Sequence, residues 1–291
     1  MGLELYTKWF KDSIPLTFAP SPLKKDVLPH SHDFFELVIF QQGGAIHTVY
    51  KGENENSYPV IPGDCFIILP NEKHSYKIGN SVLYYNFLFS ESILEGIDEL
   101  RRLPGWDSFF AMPDPFKRPK IHLDLETRSW INLCSQHLAQ ELSQKNSGYK
   151  LAAKSLFIQI LLVLLRNKPV MIDPQTKILP DEAMLAVIGN MEQSLEKKIT
   201  LAELAKNAHM SVSSFSHKFR LIMGISPGEY LLNLRLAKAA KSLKETNASV
   251  MQIASCCGFY DANYLIKSFV QRYGKTPGKY RTDYLKMSEL K

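Results

Sequence analysis

The chain has 291 residues, of which 45% are hydrophobic, so it is long enough for two soluble domains with separate cores. Its formal net charge of +6 lies in residues 181–291, which hold 16 basic and 10 acidic residues, whereas residues 1–180 hold 19 of each. This asymmetry is typical of a polyanion-binding domain beside a neutral one, and it argues against a purely structural DNA-coating protein.

The sequence carries no signal for secretion or membrane insertion. Its first residues lack the basic-then-apolar layout of a signal peptide. The most apolar run, Leu156–Leu165, is about half the roughly 20 residues that a membrane-spanning helix needs. Cys65, Cys134, Cys256 and Cys257 show no metal-ligand spacing, and the adjacent pair is a poor disulfide candidate. These features predict a cytoplasmic protein with reduced thiols and no membrane partner.

Residues 1–125 are predicted to form mainly short strands. Segments rich in aliphatic and aromatic residues alternate with turn signals such as Gly43-Gly44 and Pro62-Gly63-Asp64. The expected strands are Phe35–Phe40, Ile46–Tyr50, Cys65–Leu69, Val82–Phe89 and Ile121–Leu125, with a polar, proline-rich loop over Arg101–Lys120. Many short strands at this spacing predict a sandwich or a barrel.

A helical hairpin is predicted over residues 126–167, because apolar residues recur at helical spacing on both sides of Ser147-Gly148. We expect it to pack on the strand domain. The apolar surplus at Leu161–Leu165 predicts a two-fold contact with a second protomer, and the alternative is that these leucines are ordinary intramolecular core. Residues 168–180 are predicted to be a linker, because three prolines suppress regular structure there.

Every segment from residue 181 to residue 291 is predicted to be helical. Thr200–Glu203 and Ser249–Gln252 are capping boxes, and each is expected to open a short helix. Ser211 and Asp261 are placed to cap the helices that follow. Each unit therefore has helix-turn-helix order. The units span about 201–222 and 249–273, and their second helices are expected at 212–223 and 262–273.

The two units end with the same pattern, fifty residues apart. The first copy is Phe219, Gly224, Pro227 and Tyr230, and the second copy is Phe269, Gly274, Pro277 and Tyr280. Each glycine is placed to end a helix in the left-handed conformation, and each proline suits the first position of the next helix. Two such units in a basic segment predict two copies of one recognition device on duplex DNA.

The second helix of each unit has an outward face of polar and cationic side chains. Phe215 and Phe219 define the core face of the first, and Leu265 and Phe269 that of the second. A solvated face is the alternative for one helix, but two such faces favour contacts to bases and phosphates. The predicted DNA-binding residues are Ser213, Ser214, Ser216, His217, Lys218, Arg220, Asn263, Tyr264, Lys267, Gln271 and Arg272.

Residues 183–282 resemble the DNA-binding domain of the AraC/XylS family of bacterial transcription regulators. The residues that carry the resemblance are Ile253-Ala254, Gly258-Phe259, Asp261, Phe269, Gly274, Pro277 and Tyr280-Arg281. The resemblance implies two helix-turn-helix units joined by a long helix, about Pro227–Glu245, each placing one helix in successive major-groove segments. It also implies RNA polymerase as a partner, and a role for Arg235 in supporting the fold or in reaching the DNA backbone.

Three positions depart from the family pattern. Leu265, Ile266 and Lys267 stand where Phe, Ser and Arg are common in the family. These departures leave the fold prediction intact, but they weaken any prediction of the base sequence that the second unit reads.

The N-terminal part resembles the two motifs of cupins. His30-Ser-His32, Glu36 and Gly43 match the first motif, and Gly63-Asp64 through Pro70 to His74 match the second. In metal-binding cupins two His, one Glu and a third His bind one divalent ion, and His30, His32, Glu36 and His74 match in order. The glycine expected before the last His is replaced by Glu72 or Lys73, and regulators of this family often keep such residues with no known metal.

We therefore predict that no metal and no cofactor is bound, with a metal ion on these four residues as the alternative. The candidate effector-pocket or structural residues are His30, His32, Glu36, His74 and Tyr76. Phe34, Tyr84 and Tyr85 are either further lining residues or strand core.

The resemblance implies an effector-responsive, sequence-specific transcription regulator that is not an enzyme. It implies a cupin-like barrel or jelly roll over 1–125, a helical hairpin over 126–167, a linker over 168–180 and an all-α double helix-turn-helix domain over 181–291. Family tendencies favour a homodimer with a sugar or sugar derivative as effector, controlling carbohydrate uptake or catabolism genes. The alternative is a metal-dependent cupin enzyme carrying a DNA-binding tail. An alkylation-repair methyltransferase is excluded, because it needs more reactive N-terminal cysteines than Cys65 and Cys134.

Overall fold

The computed structural model describes residues 3–4, 14–78, 82–167, 169–170, 182–197, 199–223 and 225–289. The chain divides into two compact units, Met1–Ile188 and Gly189–Lys291. The first unit is rich in antiparallel strands with a helical hairpin, and the second is helical. The predicted fold class, a cupin-like jelly roll followed by an all-α double helix-turn-helix domain, is confirmed. The exact domain and linker bounds stay predictions.

Two sheets build the first unit. Their strands are β1 (Leu3–Glu4), β2 (Leu16–Leu23), β3 (Val27–His32), β4 (Phe35–Gln42), β5 (Ala45–Lys51), β6 (Asn54–Val60), β7 (Asp64–Ile68), β8 (Lys73–Ile78), β9 (Val82–Phe89), β10 (Lys120–His122) and β11 (Pro169–Val170). One sheet has the order β1-β3-β8-β5-β6, and the other has the order β11-β10-β7-β4-β9-β2. All pairs are antiparallel except β1 with β3.

Strand β4 separates two hydrophobic cores. Its side chains alternate, so that Leu37 and Ile39 join the core beneath the helical hairpin, while Val38 and Phe40 join the core shared with the other sheet. Both faces are therefore covered, and residues 36–41 are all buried. This explains why the segment reads as one continuous apolar run with a single charged residue, Glu36.

The helices of the first unit lie mainly after the strands. Its helices are α1 (Asp98–Arg101), α2 (Leu125–Gln144) and α3 (Tyr149–Arg166), with a 3-10 turn at Glu91–Leu94 and a π-helical turn at Asp107–Ala111. The loop predicted over Arg101–Lys120 is wrong in its middle, because Phe109 and Phe110 are buried core residues. The last predicted strand ends early, at His122, because Asp124 caps α2 by accepting a hydrogen bond from the amide of Thr127 at 2.8 Å.

The hairpin leucines are covered by the domain's own core, which corrects the predicted apolar surplus. Leu161, Leu164 and Leu165 are buried in the cluster beneath α2 and α3. Phe157 of α3 lies against strand β9, where the centroid of its ring is 4.9 Å from that of Phe89. Leu161, Leu164 and Leu165 are therefore intramolecular core, and Leu162 and Val163 are half-buried against it. None of the described helices is long and apolar enough to cross a lipid bilayer.

Strand β11 falls inside the predicted linker. Pro169–Val170 pairs with β10, so these two residues have regular structure where the prolines were expected to prevent it. An edge strand tolerates proline because one of its two sides makes no ladder hydrogen bonds. The rest of the predicted linker, 168 and 171–180, lies outside the described residues.

The remaining helices include the three whose bounds were predicted, at 212–223, 227–245 and 262–273. They are α4 (Glu182–Gln193), α5 (Leu201–Asn207), α6 (Val212–Met223), α7 (Pro227–Glu245), α8 (Val250–Cys256), α9 (Ala262–Tyr273) and α10 (Pro277–Glu289). Thr200 and Ser249 each form the predicted capping box. Gly274 ends α9 in the left-handed region at φ 68°, as predicted. The matching prediction for Gly224 lies outside the described residues.

The two units repeat one packing contact. The ring centroids of Phe219 and Tyr230 are 5.7 Å apart, and those of Phe269 and Tyr280 are 5.3 Å apart. Both pairs pack edge to face. In each unit the second helix is thus fixed to the helix that follows it. The shared exit pattern of the sequence is the signature of this contact.

Candidate functional site

The first candidate reading helix is α6, whose outer face is polar. Ser211 caps it by accepting a hydrogen bond from the amide of Ser214 at 3.2 Å. Phe215 and Phe219 are buried as predicted. Ser213, Ser214, His217 and Arg220 are exposed, while Ser216 and Lys218 are half-buried. The hydroxyl of Ser216 donates its proton to the carbonyl of Val212. The hydroxyl oxygen of Ser216 can therefore act toward DNA only as an acceptor.

The second candidate reading helix is α9. Asp261 caps it by accepting a hydrogen bond from the amide of Tyr264 at 2.7 Å. Leu265 and Phe269 are buried as predicted, so the opposite face points away from the core. The predicted DNA-binding residues Asn263, Tyr264, Lys267, Gln271 and Arg272 are all exposed.

Arg235 is held inside the helical unit. Its Nε donates to the carbonyl of Leu195 at 3.2 Å, and its Nη2 donates to the carbonyl of Lys197 at 3.0 Å. The guanidinium therefore ties the long helix α7 to the chain that precedes α5. Two roles were implied for Arg235, supporting the fold and reaching the DNA backbone. This geometry is the one expected of a residue that supports the fold.

The turns of the two units differ by one residue. In the first unit the amide of Met210 donates to the carbonyl of Ala205, and in the second the amide of Phe259 donates to the carbonyl of Ala254. Each bond is 2.9 Å long, and the two bonds are forty-nine residues apart in the sequence. The caps Ser211 and Asp261 are instead fifty residues apart. Tyr260 is the additional residue, and 98% of its surface is exposed.

Three polar side chains of the first unit converge between its two sheets. His32 of β3, Glu36 of β4 and His74 of β8 place one ligand atom each within 4.8 Å of one another. His32 Nε2 lies 2.8 Å from Glu36 Oε2, and His74 Nε2 lies 3.5 Å from the same oxygen. Asn86 of β9 donates to Glu36 Oε1 at 2.8 Å. All three members are buried, so the cluster is shielded from bulk water.

The cluster holds a carboxylate next to a neutral imidazole. Burial raises the pKa of the Glu36 carboxyl, but the hydrogen bond from His32 and the nearby imidazoles of His74 and His30 outweigh burial and hold the pKa at about 2. Burial lowers the pKa of His74 to about 4, against the opposing pull of Glu36. At neutral pH Glu36 is therefore ionised, and His74 is uncharged.

His30 and Tyr76 extend the cluster in two directions. His30 is half-buried, its ring centroid lies 4.2 Å from that of His74, and it borders a surface cavity of about 470 Å³. The other cavity residues are Leu28, Pro29, Ser31 and Lys73. Tyr76 follows His74 on the same face of β8, and its buried hydroxyl has no hydrogen-bond partner among the described residues. Burial raises the pKa of that hydroxyl.

Sequence reasoning missed His47 and Asn86. His47 is fully buried, its Nδ1 lies 2.7 Å from the hydroxyl of Tyr58, and its ring stacks on Tyr76 with centroids 4.7 Å apart. Its Nε2 has no hydrogen-bond partner in the described part of the chain. The alternation of Ala45, His47 and Val49 along β5 was the available signal, because Ala45 and Val49 both point into the core.

The aromatic candidates divide between the two faces of the sheet. Phe34 stacks on His32 with centroids 4.2 Å apart, and Tyr84 stacks on Tyr76 with centroids 5.9 Å apart. Tyr85 points the other way and packs against the core beneath the hairpin. Tyr85 is therefore not a lining residue.

Comparison with known proteins agrees with both halves of this description. A model described as "Helix-turn-helix domain" matches residues 204–283, and a model described as "AraC-like ligand binding domain" matches residues 25–161. Together the two matches span well over half of the chain. The chain belongs to the AraC/XylS family of transcription regulators. It is an effector-responsive DNA-binding regulator and not an enzyme.

Relatives of this AraC-family regulator match along almost their whole length. The HTH-type transcriptional activator RhaR of Mannheimia succiniciproducens is 25% identical over 287 residues, which is 98% of each chain. RhaR of Pectobacterium carotovorum is 28% identical over 288 residues, which is 98% of this chain and 97% of the relative. The solved DNA-binding domain of AdpA, in complex with a target DNA, is 28% identical over 35% of this chain and 92% of its own, with a TM-score of 0.35.

Proposed function

We propose that this AraC-family regulator is a transcriptional activator that binds a sugar or sugar derivative in its barrel and reads DNA with α6 and α9. The observation that carries the proposal is the pair of capped helices with exposed polar faces in the basic half of the chain. The relatives named above are transcriptional activators that align from end to end with this chain. Their alignment supports activation here as well, at genes for carbohydrate uptake or catabolism.

The DNA contacts follow from the exposed faces of the two helices. Lys267 and Gln271 of α9, and His217 and Arg220 of α6, can donate to base edges or phosphates. Ser213, Ser214, Asn263, Tyr264 and Arg272 surround them, and Ser216 and Lys218 lie at the margin. Two such helices in one chain would contact successive major-groove segments about one turn, roughly 34 Å, apart.

We expect Lys267→Ala to weaken specific DNA binding by about 1–3 kcal/mol if its ammonium reads a base edge. His217→Ala should act in the same way on the other half of the site. The measurement is fluorescence anisotropy with a duplex selected from a random pool by the wild-type protein, and with a scrambled duplex of the same composition.

The matched control for these substitutions is Lys241→Ala. Lys241 is exposed on α7, outside the two candidate reading helices, and its removal lowers the net charge by the same amount as the removal of Lys267. Its effect should be equal on selected and scrambled DNA. If Lys267→Ala and His217→Ala bind both duplexes as the wild type does, the assignment of the reading faces is wrong.

The effector is proposed to bind between the sheets, near His30, His32, Glu36, His74 and Tyr76. Buried polar atoms without partners support this place, because each gains a hydrogen bond when a polyhydroxylated ligand enters. Tyr76 offers a hydroxyl, His47 offers Nε2 and Asn86 offers Oδ1. Aromatic rings beside these groups, such as Phe34 and Tyr84, suit the apolar faces of a sugar.

A thermal-shift screen of monosaccharides and their derivatives tests the effector proposal. A true effector at about 100 times its dissociation constant should stabilise the first unit by roughly 2.7 kcal/mol. Tyr76→Phe should reduce this stabilisation, whereas Tyr85→Phe, on the opposite face of the sheet, should leave it intact. Equal responses of the two variants would remove Tyr76 from the pocket.

We infer a homodimer acting in the cytoplasm together with RNA polymerase. The exposed outer faces of the hairpin support the dimer, because Leu133 of α2 and Leu151 of α3 are 53% and 72% exposed. Two-fold dimers are the commonest assemblies of such proteins, and a dimer would present four helix-turn-helix units to two repeated half-sites. Sedimentation velocity of the full chain reports its oligomeric state directly.

A further inference from the structure

Tyr260 is a large side chain that lies almost entirely in solvent. It is 98% exposed, and its side chain makes no hydrogen bond or ring contact with the described residues. Two other exposed tyrosines of the helical unit differ in this respect. The ring of Tyr264 lies 6.0 Å from that of Phe259, and Lys244 Nζ lies 5.5 Å from the centroid of the Tyr284 ring. Packing within the unit therefore gives no reason for an aromatic residue at position 260.

The turn before α9 does not need this residue either. In the first helix-turn-helix unit the bond of the Met210 amide closes the turn, and the cap Ser211 follows directly. The second unit closes the same turn at Phe259 and then adds Tyr260 before the cap Asp261. A single exposed aromatic side chain is ordinary on a protein surface, but this one is an addition to a turn that is complete without it.

The backbone on both sides of Tyr260 is held in place. Phe259 is 6% exposed within the core of the second helix-turn-helix unit, and its amide donates to the carbonyl of Ala254 at 2.9 Å. Asp261 caps α9 through its bond to the amide of Tyr264 at 2.7 Å. The side chain of Tyr260 is therefore presented from a fixed position, and a partner that binds it needs to order only that side chain.

Tyr260 lies at the end of α9 that leads into DNA. A recognition helix enters the major groove with its N-terminal residues on the base edges, while the helix before it crosses the phosphate backbone. The residue just before the cap of α9 stands between these two elements. Asn263 and Lys267 are exposed on the face that follows it, in the half of the chain that holds the net charge of +6. The surface at Tyr260 is thus continuous with the proposed reading face.

We propose that the phenol hydroxyl of Tyr260 donates a hydrogen bond to a phosphate oxygen at the edge of the groove that α9 reads. Phosphate oxygens only accept hydrogen bonds, a phenol O–H donates them, and tyrosine is among the side chains that contact the DNA backbone. The second unit thereby gains a contact that the first unit lacks, and this contact fixes the register of α9 without reading sequence. The proposal rests on the reading role proposed above for α9.

Tyr260→Phe in the full-length protein is the test, because it removes the hydroxyl alone. Binding is measured by fluorescence anisotropy with the selected duplex and with its scrambled counterpart. We expect the dissociation constant to rise by about 3- to 20-fold on both duplexes, as for one hydrogen bond to a charged acceptor at a wet interface, so that their ratio is unchanged. The slope of log Kd against log salt concentration should also stay the same, because the substitution removes no charge.

Tyr284→Phe is the matched control. It removes the same hydroxyl from an exposed tyrosine of α10, outside the two candidate reading helices. It should bind both duplexes as the wild type does. Thermal unfolding followed by circular dichroism checks that the variants are folded, and we expect Tyr260→Phe to melt with the wild type because the side chain is exposed.

A methylphosphonate scan locates the contact on the DNA. Selected duplexes are made with one backbone phosphate at a time replaced by a neutral methylphosphonate, which removes one acceptor oxygen and the charge. At one position, in the part of the site that α9 reads, the wild type should lose affinity and Tyr260→Phe should lose much less. Such non-additivity is expected of two groups in direct contact.

Three results would overturn the proposal. The first is a folded Tyr260→Phe variant that binds both duplexes as the wild type does, even where Tyr260→Ala binds more weakly, since the hydroxyl would then make no bond. The second is a changed ratio between selected and scrambled DNA, which would assign Tyr260 to a base edge. The third is an additive loss at every phosphate position.

Lys267→Ala separates these failures from a failure of the proposed function. If Lys267→Ala leaves binding unchanged, α9 does not read DNA and the contact of Tyr260 falls with it. If Lys267→Ala weakens binding to the selected duplex while Tyr260→Phe does not, the reading role of α9 stands and only the contact of Tyr260 is wrong.

Discussion

Replacing Gly258 with Ala is expected to destabilise the helical unit by more than about 3 kcal/mol, an unusually large effect for one methyl group. Gly258 has φ +78°, where an L side chain is strained by roughly 1–2 kcal/mol. The added Cβ would also lie 2.0 Å from the carbonyl oxygen of Leu195 and 2.9 Å from Arg235 Nε. That carbonyl accepts the hydrogen bond of Arg235, so it cannot move away without breaking the tie to α7.

Gly274→Ala is the matched control for this prediction. Gly274 has φ +68°, but among the described residues no atom beyond its chain neighbours lies within 4 Å of the position that a Cβ would take. The substitution should therefore cost only the left-handed strain, roughly 1–2 kcal/mol. The difference between the two variants isolates the clash from the conformational strain.

Urea unfolding followed by far-ultraviolet circular dichroism measures both effects. All three tryptophans, Trp9, Trp106 and Trp130, belong to the first unit, so their fluorescence reports on that unit alone. We expect the helical signal to shift while the tryptophan transition stays in place. Equal losses for Gly258→Ala and Gly274→Ala would show that Leu195 and Arg235 yield to the new methyl group.

Removal of the Arg118 side chain should be the most damaging change in the first unit. Arg118 is 5% exposed, and its two terminal nitrogens bind both oxygens of Glu72 at 2.6 Å. It also donates to the carbonyls of Ile67 and Met112. Arg118→Leu leaves the carboxylate of Glu72 and these carbonyls without their donor, so we expect a loss of about 3–5 kcal/mol.

Arg101→Leu provides the comparison, because it breaks a pair of the same chemistry at the surface. Arg101 binds Glu91 at 2.8 Å, but the two side chains are 43% and 64% exposed. Solvent screens such a pair, and its removal should cost less than about 1 kcal/mol. Tryptophan fluorescence during urea unfolding measures both variants. A small effect of Arg118→Leu would mean that water reaches Glu72 once the arginine is gone.

The helical half of the fold was predictable because its signals are local. The caps Thr200, Ser211, Ser249 and Asp261 each act within three or four residues, and the helix bounds predicted from them agree with α6 and α9. A reader of the sequence needs no knowledge of distant contacts to place these ends.

The barrel was only partly predictable, because its strands pair with distant partners. Strands β3 and β8 carry the two histidines of the polar cluster, and Val27–His32 and Lys73–Ile78 lack the apolar runs that marked β4, β7 and β9. Strand β2 contains Pro20 and Pro22, which are tolerated because it lies at the edge of its sheet. The cupin motifs named His32, Glu36 and His74, but the register that adds Asn86 appears only in three dimensions.

The additional residue in the second turn bears on how recognition helices can be exchanged. The first helices of the two units align with an offset of forty-nine residues, whereas α6 and α9 align with an offset of fifty. Tyr260 takes up the difference by projecting into solvent, so the contacts of Phe219 and Phe269 remain equivalent. A chimera joined at Ser211 and Asp261 therefore keeps its register. A graft counted from the first helix would rotate every side chain by about 100° around the helix axis, which would carry the phenylalanines out of the core and turn one flank of the helix inward.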